Sequence, residues 1–248
     1  MGRGDKQGLR GRASASFATT HWTTVLAAGK GDTPSARAAL ERLCTAYWYP
    51  LYAYVRRKGY PASDAEDLVQ GFFERLLRLD SLTKVKQERG RFRTFLLAGL
   101  NHYLADEWDR ASARKRDARR MVSLDGREAE TRYQHEAADS ETPERVFLRQ
   151  WAIALLASVL EQLSGEYEKA GKKELFAALR FAISGESGKA LAYAELAGTL
   201  KMGEPALRVA AHRLRRRYRA VLRDEIAQTV DSEQEVEEEL RELLAAVG

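Results

Sequence analysis

Apolar residues in this chain recur at intervals of three and four, and no stretch alternates apolar with polar for long enough to form a strand. A chain with that period buries its stripes helix against helix, so the expected fold is all-α. The first stripe, over 35–58, places Leu40, Leu43, Tyr47, Leu51, Tyr54 and Val55 on one face and stops at Gly59 before Pro61, while Pro50 inside it predicts a kink or break. A second helix is expected to open at Ser63, where Glu66 three residues on completes a capping box and Asp64 and Asp67 suit the positive end of the helix dipole. Its stripe is Leu68, Phe72, Leu76 and Leu79. After a loop from Asp80 to Arg91, a third helix carries Phe92, Phe95, Leu96, Gly99, Tyr103 and Leu104 on one broad face. Three helices of this length can bury one core.

Residues 111–142 lose the period and mix charge with Ala, Ser and Gly, which predicts a linker. Helical spacing returns after Pro143 with Val146, Trp151, Leu155, Val159 and Leu163, then again at Leu175, Phe176 and Leu179. The expected organisation is a flexible basic arm at 1–16, a helical domain at 17–110, a linker at 111–142, a second helical domain at 143–230 and an acidic amphipathic extension at 231–248. That is two helical domains joined by a linker.

Net charge is +5, but its distribution is more telling. Asp231 to Glu242 holds seven acidic residues and one basic, a charge of −6, so the rest of the chain carries +11. Two clusters concentrate that charge: six basic residues and one Asp from Arg110 to Arg120, and six Arg and one Glu from Glu204 to Arg219. Blocks of this kind mark nucleic-acid contacts more strongly when they sit on helices. One cysteine, Cys44, closes no internal disulfide and is expected as a small core residue, and His21, His102, His135 and His212 are too dispersed for a zinc motif. The basic N-terminus leads into no apolar core, and the run WAIALLASVL at 151–160 is shorter than a bilayer span, so the expectation is a soluble, cytoplasmic protein without membrane partners.

The segment from Ala192 to Leu222 reads as helix-turn-helix: a short helix with Ala194, Leu196, Ala197 and Leu200, a turn at Met202 and Gly203, and a longer helix opening at Glu204 and Pro205. With Leu207, Ala210 and Leu214 inward, Arg208, Ala211, His212 and Arg215 face outward, where a major-groove helix presents its reading residues. The competing reading is an αα-hairpin packed on a partner.

Three separated blocks then resemble one family, the extracytoplasmic-function sigma factors that direct bacterial RNA polymerase to promoters. DAEDLVQGFFERLL at 64–77 is similar to its polymerase-binding helix, GRFRTFLLAGLNHYLADEWDR at 90–110 to the part that melts and reads the −10 element, and YAELA with ALRVAAHRLRRRYR to its −35 reader. FATTHWTTVLAAG and RYRAVLRDEIAQTV are similar to a branch that carries an acidic C-terminal extension. The resemblance spans roughly 36–224 and implies a region 2-like first domain and a region 4-like second one. It assigns polymerase contact to Asp64, Asp67, Gln70 and Glu74, which by residue type alone would cap and solvate a helix. It assigns −10 contact to Asn101, Asp106, Trp108, Arg110, Arg114 and Lys115, with Trp108 available to stack on an unpaired base. It assigns −35 contact to Arg208, Ala211, His212, Arg213, Arg215, Arg216 and Arg217. The implied partners are core RNA polymerase and promoter DNA, with an anti-sigma protein or other regulator as a further candidate. Two departures stand out: Lys201 occupies a turn position where the family has glycine, and Pro205 lies where it has a small residue.

No nucleophile–base set, carboxylate pair or metal cluster emerges, so no catalytic residue, metal or cofactor is expected and the chain reads as a non-enzyme. GESGK at 185–189 has Ile183 and Ala190 where a phosphate-binding loop needs Gly and Ser or Thr, and Arg3-Gly4-Asp5 reads as a chance tripeptide. Two rivals remain, a stand-alone helix-turn-helix transcription regulator and a helical adaptor whose arginines bind an acidic protein.

Overall fold

The computed structural model describes residues 34–78, 91–114, 129–133, 141–183, 190–230 and 232–248. Among them every regular element is helical: α1 (Pro34–Arg57), α2 (Ala62–Arg78), α3 (Phe92–Arg114), α4 (Pro143–Lys169), α5 (Lys173–Leu179) with a 3-10 turn at Arg180–Ala182, α6 (Ala190–Leu200), α7 (Glu204–Ala227) and α8 (Glu233–Val247). The all-α expectation holds. Residues 1–33, Leu79, the loop to 90, Lys115 and 184–189 lie outside the described residues.

Pro50 does not break α1, which stays helical from Pro34 to Arg57. Proline there removes one backbone hydrogen bond, but Leu51, Tyr52, Ala53, Tyr54 and Val55 follow it fully buried, and that burial offsets the loss. Gly59 then takes φ +94°, a conformation that lets the chain reverse into Pro61. The second helix starts at Ala62, earlier than its capping pattern suggests: the Pro61 carbonyl accepts from the Ala65 N–H at 2.9 Å, and Ser63 lies inside the first turn with its hydroxyl 3.0 Å from the Asp64 carboxylate. Its buried face is Ala65, Val69, Phe72, Phe73 and Leu76, with Leu68 at the margin.

Two small residues let α2 and α3 approach. A Cβ at Gly71 would stand 2.3 Å from the Tyr103 hydroxyl, and one at Gly99 would meet the Phe72 ring at 3.4 Å. The long face of α3 is completed by Phe92, Leu96, Leu100 and Leu104, all buried.

At the centre of the molecule, α4 touches α1, α5, α7 and α8, and α1–α4 is the most extensive helix pairing. Thr142 caps α4 by accepting from the Arg145 N–H, and Pro143 occupies its first turn. An 18-residue window of α4 has a mean hydropathy of 1.3, enough by length and composition to cross a bilayer, unlike the shorter run weighed from sequence alone. Its apolar side is occupied here by other helices: Trp151 lies between helices with its indole Nε1 donating to the Tyr47 hydroxyl at 3.2 Å, and Phe147 meets Tyr54 edge to face. The described core is one cluster that runs across the expected boundary at 111–142.

Part of that stretch is itself structured. Residues 129–133 are helical rather than linker-like, because polar contacts with α1 substitute for the missing apolar stripe. Glu130 accepts from the Tyr52 hydroxyl at 2.7 Å and from Arg56 at 2.8 Å, and the Arg132 guanidinium lies 3.8 Å from the Tyr49 ring centroid while donating to buried Gln150 at 3.0 Å.

Candidate nucleic-acid interface

A three-residue turn joins α6 to α7. Lys201 takes φ +52°, the one positive φ at a non-glycine among the described residues, and the Met202 N–H donates to the Ala197 carbonyl at 3.2 Å. This is the Schellman closure that glycine normally serves, made with lysine at the left-handed position. The departure at Lys201 does not reshape the turn: lysine takes the left-handed conformation itself. Gly203 then caps α7, its carbonyl accepting from Leu207, and Pro205 sits in the first turn as anticipated.

Leu207, Ala211, Leu214, Val221, Leu222 and Ile226 form the buried stripe of α7. Ala211 is therefore not an outward reading residue: it is fully buried, and Ala210, expected inward, is only half-buried. Both positions are one turn from Leu207, and the packing of the surrounding helices buries Ala211. The remaining candidates are outside. Arg208, His212, Arg213, Arg215, Arg216 and Arg217 are all exposed.

Their electrostatic situations differ. Arg208 reaches back to Glu204 at 3.4 Å and stands 4.9 Å from the Tyr193 ring centroid, so its guanidinium has a preset position beside the turn. Arg217 forks onto Glu166 of α4 at 3.0 and 2.7 Å, and this bond holds the Glu166 carboxyl below its ordinary range. Among the described residues His212, Arg213, Arg215 and Arg216 have no ion-pair or hydrogen-bond partner, which leaves the charge of the three arginines available to an external anion.

The second candidate surface is the C-terminal half of α3. Trp108 is 68% exposed, an unusual cost for so large an aromatic, and exposed Arg110 pairs with Glu107 at 2.5 Å one turn back. Asp106 is tied to Arg75 of α2 at 2.5 Å, and that guanidinium holds its carboxyl below the usual value. Asn101 is half-buried, its carbonyl oxygen accepting from Lys58 at 2.8 Å and from the Tyr54 hydroxyl at 3.0 Å, so it is engaged inside the molecule. Tyr103 packs over Gly71 and beneath Arg75, a packing role. Arg114 ends α3, and its side chain and Lys115 lie outside the described residues.

On α2, Asp64, Asp67, Gln70 and Glu74 share one exposed face, opposite Val69 and Phe73, with Gln70 donating to Glu74 at 3.4 Å. The three candidate surfaces thus sit on three different helices, each fixed by an apolar face turned inward.

Residue types alone did not reveal a fourth cluster. Arg91 contacts Glu238 at 3.2 Å and Glu239 at 3.1 Å, and also pairs with Glu242. Arg93 contacts Glu239 at 2.5 Å, pairs with Glu242, and stands 5.2 Å from the Trp151 ring centroid. Burial pushes the Glu242 carboxyl upward, but Arg91 and Arg93 outweigh it and hold it below its ordinary value. The acidic tail folds onto basic residues, but these are Arg91, Arg93 and, near the C-terminal end of α7, Arg223, and not the exposed run from Arg208 to Arg217. The sign contrast between tail and body was the one sequence signal for it.

Comparison of the chain with protein-family models, with curated proteins and with solved structures gives no match in any of the three.

Proposed function

We propose that this chain is an RNA polymerase sigma factor of the extracytoplasmic-function type, which binds core polymerase and directs it to promoters. The observation that carries the reading is the outer face of α7. A helix entered through a three-residue turn, anchored by Leu207, Ala211 and Leu214, turns four cationic or titratable side chains, unpartnered among the described residues, to one side. That combination suits a helix lying in the major groove, with phosphates meeting the arginines and base edges within reach of the first turns.

The resemblance of the 64–77 and 90–110 blocks supplies the rest of the assignment. In this reading α7 and α6 form a region 4-like helix-turn-helix that reads the −35 element through Arg208, His212, Arg213, Arg215 and Arg216. The exposed end of α3 serves the −10 element, where Trp108 offers a stacking platform for an unpaired base, worth about 1–3 kcal/mol per base. The face of Asp64, Asp67, Gln70 and Glu74 meets polymerase. The two halves act as separate domains on DNA, the protein works in the cytoplasm, and no bond chemistry or cofactor is involved.

The test is runoff transcription with bacterial core polymerase on a pool of promoter fragments, with and without the protein. Transcripts from defined start sites only in its presence are expected. Silence with a cognate core, together with unaided binding to duplex DNA, would overturn the reading in favour of a stand-alone helix-turn-helix regulator.

A further inference from the structure

We propose that this chain associates with itself: the exposed apolar stripe of α8, formed by Leu240, Leu244 and Val247, seats in an open groove on a second copy, between the α4–α5 corner and the first half of α7.

The groove is the first observation. Its volume is about 800 Å³, and its apolar lining includes Tyr167, Leu175, Leu200, Met202 and Val209. Val209 stands there 50% exposed. A concavity of that size takes several apolar side chains at once.

The stripe is the second. Spacing of four and three puts Leu240, Leu244 and Val247 on one side of α8, next to the side that Val236 and Leu243 bury. Leu240 is half-buried, but Leu244 is 60% and Val247 39% exposed. Among the described residues the exposed large apolar side chains are Trp108, Val209, Leu244 and Val247, so all but Trp108 belong to this groove or this stripe. Exposed apolar surface gathered in this way marks an interaction site. Within one molecule the two surfaces do not meet: buried Val236 and Leu243 and the ion pairs to Arg91, Arg93 and Arg223 fix α8 where it lies, with stripe and groove both left open.

Charge favours the same pairing. α8 carries six carboxylates, and after Arg241 and the paired Arg91, Arg93 and Arg223 are set against them an excess of two negative charges remains. Its last turn holds no basic residue, so the negative end of the helix dipole is uncovered beside Leu244 and Val247. At the groove, Arg217 neutralises Glu166, which leaves Lys172 and Arg213 against Glu174, with Lys169 and Lys201 exposed on positions adjoining the lining. An acidic helix end thus meets a cationic rim. Because stripe and groove are different surfaces, the contact is heterologous, and each copy offers one of each.

Arg213 belongs both to the rim and to the outward face of α7, so, resting on the function proposed above, a seated α8 and promoter DNA compete for it. The association itself does not depend on that reading, and its test contains neither DNA nor polymerase. Sedimentation equilibrium of the nucleic-acid-free full chain over about 1–300 µM, the range suited to a small interface, is expected to show the mass rising from one chain toward two or more. Leu244→Glu and Val209→Glu alter exposed side chains, so the fold is retained, and each should move the midpoint at least about tenfold higher. Mixing the two variants restores one intact contact, the groove of the first with the stripe of the second, and the mixture should associate more strongly than either alone. A single-chain mass for wild type throughout would overturn the proposal. So would loss with Leu244→Glu but not with Val209→Glu, which would pair α8 with α8, and so would a mixture no stronger than its components.

Discussion

Arg93 and Glu239 lie 146 positions apart in the chain and form a two-pronged ion pair, Nε to Oε1 at 2.5 Å and Nη2 to Oε2 at 2.9 Å, in which the carboxylate has no solvent exposure. A charge withdrawn so completely from water is tolerable only while its partner stays in place.

Removing one member should therefore be costly. Arg93→Ala leaves Glu239 buried without its closest cation and also uncovers the Trp151 ring, and a loss of about 3 kcal/mol or more is expected from urea unfolding. Replacing both members with apolar residues of similar size should recover much of it. If Arg93→Ala costs less than about 1 kcal/mol, the site admits water and the ion pair is not the buried contact described.

Gly71 has a steric rather than conformational reason to be glycine. Its absent Cβ would lie 2.3 Å from the Tyr103 hydroxyl. Gly71→Ala should destabilise the protein by about 1–3 kcal/mol, and adding Tyr103→Phe, which deletes the obstructing oxygen, should restore most of the loss in thermal unfolding. Equal losses in the single and double variants would show that the obstruction lies elsewhere.

Lys201 pays for its left-handed backbone. Lys201→Gly should raise stability by about 1 kcal/mol, since glycine adopts φ +52° without the Cβ contact. Under the proposed function the same variant retains −35 binding, as the lysine serves the turn and not the groove face.

The arginines of α7 should separate by role. Arg208→Ala is expected to weaken binding to a specific promoter by about 1–3 kcal/mol if the side chain reads a base, with little effect on random DNA. Arg213→Ala and Arg216→Ala should weaken both alike and reduce the slope of log affinity against log salt by about 0.9 each, the signature of a phosphate contact. Fluorescence anisotropy across a salt series distinguishes them, and an unchanged slope for both would remove them from the interface.

The Arg217–Glu166 bond gives a pH signature with a definite sign. Because Arg217 depresses the Glu166 carboxyl in the folded state, the bond's stabilisation is fully present above the unfolded carboxyl pKa and is lost as pH falls through the lower folded value. In urea titrations across that acidic window, Arg217→Ala should show a shallower decline in stability than wild type. Parallel curves would mean that the exposed pair contributes nothing measurable.

Amino-acid order alone determined the helices of this protein and the sign of its surfaces. Periodicity and punctuation act over a few residues, so the stripes of α2, α3, α4 and α7 and the strained Lys201 turn were legible, as were the exposed faces of Asp64, Asp67, Gln70 and Glu74 and of Arg208 to Arg217. Tertiary packing decided what local rules leave degenerate. Ala210 and Ala211 are equally good neighbours for Leu207, and only tertiary packing buried Ala211; Pro50 is a helix breaker by itself, and only burial of the residues after it kept α1 whole. The same holds for Ser63, whose capping pattern lost to the Pro61 carbonyl, and for 129–133, ordered by Arg56, Tyr52 and Tyr49 from a distant helix. Which arginines the acidic helix would meet was the least legible of all, because Coulomb attraction has no sequence register, and the pairing of Arg91 and Arg93 with Glu239 exists only once α3, α4 and α8 have been brought to one place.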